Sequence, residues 1–84
     1  MRGFVLQVIR VAVDVELFGQ LAPNVPRRQT LTIERPTTVQ EIAIQLGLEL
    51  DNIGLMSING VQVELQELVP LNCRLCFFPP MSGG

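Results

Sequence analysis

An α+β fold, in which one helix packs on a mixed sheet of about four to five strands in the order β-β-α-β-β-β, is predicted by three features of the 84-residue sequence. Residues 8–18 alternate between apolar and polar with a period of two. Residues 38–48 switch to a helical period and carry both a start and a stop signal. Asn59-Gly60 stands between two short alternating runs, as a tight hairpin requires.

In the first strand Ile9, Val11, Val13, Val15 and Leu17 share one face, with Arg10, Ala12, Asp14 and Glu16 on the other, so the strand is half-buried. Residues 19–29 hold Gly19, Pro23, Asn24 and Pro26 and read as a loop that includes Arg27-Arg28. Thr30 to Glu34 alternates again and Pro36 closes it, which gives a hairpin with a long tip. Thr38 with Glu41 three residues later forms a capping box, each side chain satisfying a free amide at the helix start. Val39, Ile42, Ala43 and Leu46 make the apolar stripe of a helix over 39–46; Gly47 supplies the left-handed stop and Leu48 packs back. Residues 55–58 and 61–64 flank Asn59-Gly60. Residues 65–72 read as a turn or short 3₁₀ piece ending at Asn72, and 73–78 as a last strand with Leu75 and Phe77 inward. One domain over 1–78 and a flexible tail over 79–84 follow. The right-handed crossover rule leaves few arrangements, of which the β-grasp is the obvious one, with the first and last strands parallel neighbours in the middle of the sheet.

What is missing narrows the function. The chain has no His, Lys, Tyr or Trp, and its only serines are Ser57 and Ser82. Serine–histidine and cysteine–histidine nucleophile pairs, Schiff-base lysines and the commonest metal ligand are thereby excluded. With so small a core, a binding surface is favoured over an internal active site. Net charge is −2, and the aromatics are Phe4, Phe18, Phe77 and Phe78. That composition does not suit a nucleic-acid binder; it suits a protein partner with a basic docking face. The apolar run at the start is too short for a signal peptide, Arg10 and Asp14 interrupt any membrane span, and Cys73 and Cys76 form no disulfide framework, so a cytoplasmic location is expected.

The end of the chain carries the functional signal. Pro79-Pro80 lacks backbone N–H groups and cannot continue a ladder, so it directs the chain away from the domain. Gly83 and Gly84 have no side chains, and a partner's narrow channel can close around them. A carboxylate at Gly84 on such a stalk is thin and reachable, as activation by another protein would require. A disordered terminus without function shares these features.

Ile58-Asn59-Gly60 and the ending Leu75-Cys76-Phe77-Phe78-Pro79-Pro80-Met81-Ser82-Gly83-Gly84 resemble the molybdopterin-synthase small subunit family, ubiquitin-like sulfur carriers whose relatives include the thiamin sulfur carrier. The likeness extends to Leu17-Phe18-Gly19 and Thr38-Val39-Gln40-Glu41-Ile42, and so runs from about Val8 onward. Its specific part is the Phe-Phe-Pro-Pro approach and the Gly-Gly ending, closer to the molybdopterin than to the thiamin branch. The resemblance implies a carrier and not an enzyme. An E1-like adenylyltransferase would use ATP to adenylate the Gly84 carboxylate, a sulfur donor protein would convert it to a thiocarboxylate, and a larger synthase subunit would receive the tail. Gly83, Ser82, Met81, Pro80 and Phe78 would contact those partners, and the carrier itself would bind no cofactor or metal. The chain departs from the family at Asn72, where relatives often have Gly, and at Cys73-Arg74, where relatives usually carry an acidic pair.

Single features admit competing readings. Cys73 and Cys76 have redox-pair spacing, but in a strand residues three apart face opposite sides, and one such pair is half a zinc site; structural thiols are expected. Phe78 either fills a secondary cluster or anchors a partner, and beside a functional tail the anchor is the favoured reading. Arg27-Arg28 reads as solvated loop, and Arg10, Asp14 and Glu16 as sheet-surface charges that could double as a docking patch. A carrier for thiamin or another metabolite, a ubiquitin-like modifier, and an interaction module with an inert tail remain as alternatives.

Overall fold

The computed structural model describes residues 11–81. Its elements are β1 (Val11–Leu17), β2 (Arg28–Ile33), α1 (Val39–Gln45), a 3₁₀ turn (Leu50–Asn52), β3 (Leu55–Ile58), β4 (Val61–Val63) and β5 (Cys73–Phe78). The strands form one sheet in the order β2-β1-β5-β3-β4. β1 and β5 are parallel, with Val13 opposite Cys73 and Leu17 opposite Phe77, and the remaining neighbours are antiparallel. This is the expected β-grasp arrangement, with the strand that leads into the tail at its centre.

The alternating pattern of β1 and β5 becomes a two-faced sheet. Val13, Val15, Leu17, Cys73, Leu75 and Phe77 turn toward α1, where Val39, Ile42 and Ala43 are fully buried. Leu46 and Leu48, just past the helix, close the same core from its end. Asp14, Glu16, Thr30, Arg74, Cys76 and Phe78 alternate with those residues and point to the opposite face.

Seven residues are too few for a stable isolated helix, so α1 depends on its ends and on its packing. Thr38 Oγ1 accepts from the Glu41 amide at 3.1 Å and Glu41 Oε1 accepts from the Thr38 amide at 2.9 Å, which is the predicted capping box. The next two free amides at the helix start are met from the loop after β4: Val39 donates to the Glu67 carbonyl and Gln40 to the Leu65 carbonyl, each at 3.0 Å. At the other end Gly47 adopts φ 82°, its amide donates to Ile44 and the Leu48 amide to Ala43. That pair of bonds is the Schellman motif.

Several boundaries differ from expectation. Val8–Arg10 lie outside the described residues, and β1 ends at Leu17. β2 begins two residues before Thr30, because Arg28 and Gln29 pair with Glu16 and Val15; Arg28 is therefore a strand residue and not part of the loop. Leu46 caps the helix instead of ending it; residues 65–72 contain the expected turns, at 65–66 and 71–72, and a 3₁₀ turn that was not expected falls at 50–52. Asn59 (φ 51°) and Gly60 (φ 85°) form the predicted two-residue hairpin, and Asn72 takes φ 49°. Asn59 also has a second role: its side-chain oxygen and its amide bond the Arg74 amide and carbonyl, both at 2.9 Å, which ties the hairpin tip to β5.

Candidate functional site: the root of the C-terminal tail

The last strand delivers Phe78, Pro79, Pro80 and Met81 to one end of the sheet, and the neighbouring strands hold them there. The Phe18 amide donates to the Phe77 carbonyl at 3.0 Å, and the Gly54 amide to the Phe78 carbonyl at 2.8 Å. Proline has no amide to donate, so the two ladders stop here. Contact takes over from hydrogen bonding. A Cβ on Gly19 would lie 2.6 Å from Pro79 Cγ, and one on Gly54 would lie 2.6 Å from Pro80 Cα and 2.7 Å from the Pro79 carbonyl oxygen. Both positions accept only glycine at this spacing, and Gly19 adds φ 70°. The diproline is thus gripped between the end of β1 and the start of β3, and the chain leaves the domain only after Pro80. Met81 is 93% exposed.

Beside the grip, the rings of Phe18 and Phe78 stack with centroids 4.5 Å apart and planes 10° from parallel. Of the two roles open to Phe78, the ring forms a secondary cluster with Phe18; both rings stay half-buried, and Leu55, opposite Phe78 in β3, is 36% exposed. Sequence reading missed Phe18 and Gly54 as parts of the site. Their partners lie 60 and about 25 residues away along the chain, and only the register of β1 and β3 against β5 brings them in. Ser82, Gly83 and Gly84 fall outside the described residues.

Charged groups flank this root. Glu16 lies between two arginines: its Oε1 accepts from Arg74 Nη2, and its Oε2 is 3.4 Å from Arg28 Nε. The hydrogen bond from Arg74, with Arg28 nearby, holds the Glu16 carboxyl below its ordinary range, and the same bond raises Arg74. Asp14 accepts the Thr30 hydroxyl at 2.8 Å, and Arg27 donates to the Gly19 carbonyl at 3.2 Å.

The cysteines behave as strand residues. Cys73 is in the core, where burial pushes its thiol up, and Cys76 is buried on the other face between Glu16 and Ser57. Both are free. Among the described residues no three ligating side chains come together, and no helix is long and apolar enough to cross a membrane. What the site offers chemically is a held strand end with an exposed continuation, flanked by aromatic rings and guanidinium groups.

No curated protein matches the chain significantly. Among solved structures, SAMP1 from Haloferax volcanii superposes with a TM-score of 0.66 at 24% identity, over 87% of this chain and 99% of that one. At that identity the likeness establishes the shared fold. The family model of the ThiS family matches residues 15–84, from the middle of β1 through the tail, and the chain is a member of the ThiS family.

Proposed function

We propose that the chain is a sulfur carrier whose reactive group is the Gly84 carboxylate. An E1-like adenylyltransferase brings ATP; the carboxylate attacks its α-phosphate and pyrophosphate leaves. Hydrosulfide delivered by a sulfur donor protein then attacks the acyl carbon and expels AMP, which leaves a thiocarboxylate. A larger synthase subunit receives the tail and takes the sulfur for molybdopterin. The observation that supports this reading is the close packing of Gly19 and Gly54 against Pro79 and Pro80, with Met81 exposed just beyond them. Membership of the ThiS family supports the carrier class. The Phe77-Phe78-Pro79-Pro80 approach favours the molybdopterin branch. The domain contributes no acid, base or metal ligand to the reaction. Its part is to hold and present the terminus.

Intact mass after incubation with ATP, a cognate activating enzyme and a sulfide source tests this directly. The expected result is a gain equal to sulfur replacing oxygen, absent after deletion of Gly84. An unchanged mass with a demonstrably active enzyme would overturn it. Sulfide released from the charged form identifies a carrier; a stable amide to a target protein would identify a modifier instead.

A further inference from the structure

The two edges of the sheet are built differently. At one edge β4 has three residues, Val61–Val63, a length that offers little to a further strand. At the other, β2 pairs with β1 over all six residues, Arg28–Ile33, with no bulge and no proline inside it. Among the described residues β2 has a neighbouring strand on that side alone. The β1–β2 ladder shows which backbone groups are left over. The Leu17 amide donates to the Arg27 carbonyl at 2.7 Å, so these two form a hydrogen-bonded pair; in the same register Gln29, Leu31 and Ile33 turn their backbone groups toward β1. Arg28, Thr30 and Thr32 turn theirs away from the sheet, and all three residues are exposed.

We propose that this edge pairs, antiparallel, with the same edge of a second copy of the chain, about a two-fold axis at Leu31. Outward groups must meet outward groups, and among such registers the one centred on Leu31 gives the longest ladder free of proline. Pro26 of one copy then falls opposite Pro36 of the other, just beyond each end. The register sets Thr30 against the second copy's Thr32, and Arg28 against the second copy's Glu34, each twice by symmetry. Facing threonines and opposite charges are pairs that stabilise neighbouring strands. Centred on Thr30 or Thr32 instead, the ladder is shorter and Arg28 meets Thr32 or Pro36. The helix side of the edge offers apolar surface to cover: a groove between β2 and α1 is lined by Thr32, Ile33, Glu41 and Ile44, and Ile44 is 57% exposed. In this pairing the second copy's Leu31, and its Gln29 opposite Ile33, lie along that groove. Two five-stranded sheets become one, and because the β2 strands run in opposite directions, the two tail roots leave at opposite ends. The pairing stands whether or not Gly84 carries sulfur.

Light scattering of the full chain over a concentration series tests the proposal. The contact is small, so association is expected to be weak, with apparent mass rising from one chain toward two as concentration increases. Thr32→Pro removes an outward N–H and leaves the bonds to β1 intact, and it is expected to hold the chain monomeric with an unchanged circular dichroism spectrum. Glu34→Arg sets like charges opposite each other and is expected to weaken the dimer about tenfold. Adding Arg28→Glu to it restores the dimer, a rescue that a damaged fold would not give. Leu31→Cys is expected to form a disulfide between copies on oxidation, because the pair on the axis brings its Cα atoms to about 4.5 Å. A native chain that is monomeric at every concentration overturns the proposal. So does a dimer indifferent to both Thr32→Pro and the charge exchange, since its contact would then lie on another face.

Discussion

At the scale of single residues, two glycines and one glutamate carry most of the consequence. Gly54→Ala would place a methyl 2.6 Å from the Pro80 backbone, which has no flexible atom to yield. We expect a loss of about 1–3 kcal/mol in urea unfolding, from overpacking. The larger effect is on presentation of the tail, read as slower sulfur charging of protein that is still folded. Gly19→Ala meets the Pro79 ring and also a left-handed φ, so it should cost as much. Glu16 sets a pH dependence. Its folded-state pKa lies below the unfolded one, so its contribution is complete above the unfolded value, about 4.3, and is lost as pH falls through the folded value. Thermal melts from neutral pH downward should show Glu16→Gln losing less stability on acidification than the native chain.

Elements show best what could be read from sequence and what could not. The helix and both its caps were legible, to within one residue at its end, because the signals are local: Thr38, Glu41, Gly47 and Leu48 lie within eleven residues and each acts on a neighbour. Thr38→Ala should cost about 1 kcal/mol, measured as a lower urea midpoint with unchanged slope. β1, β5 and the Asn59-Gly60 turn were legible for the same reason, since a period of two and a pair of positive φ angles are written in adjacent residues. The 3₁₀ turn was not, because three residues carry no periodicity. Nor was the grip on the diproline. A glycine before a strand looks the same whether it makes a turn or leaves room for a chain 25 residues downstream. The Arg28–Glu16–Arg74 cluster needs the register of three strands. Phe18→Ala would unpair the ring that joins the end of β1 to the end of β5. About 1–2 kcal/mol should be lost, together with order at the tail root detectable as faster amide exchange at Gly54.

For the whole molecule there is one small core, and the same strand that fills it also leads into the C-terminal tail. Phe77 is fully buried at the centre of the sheet, and Phe77→Ala should remove about 3–5 kcal/mol. A domain of this size holds roughly that much in reserve, so circular dichroism should find the variant unfolded or nearly so at room temperature. Site and core cannot be altered independently here: Phe77 and Phe78 are adjacent, one in each face. The same layout has a mechanical side. β5 is bonded on both flanks, in parallel to β1 and antiparallel to β3. A pull on the C-terminus therefore loads the β1–β5 bonds in shear, all together, where a strand peeled from an edge would give way one bond at a time. An enzyme that tugs the terminus into its channel would draw on a domain that resists as a unit, so the strain falls on the few residues beyond Pro80.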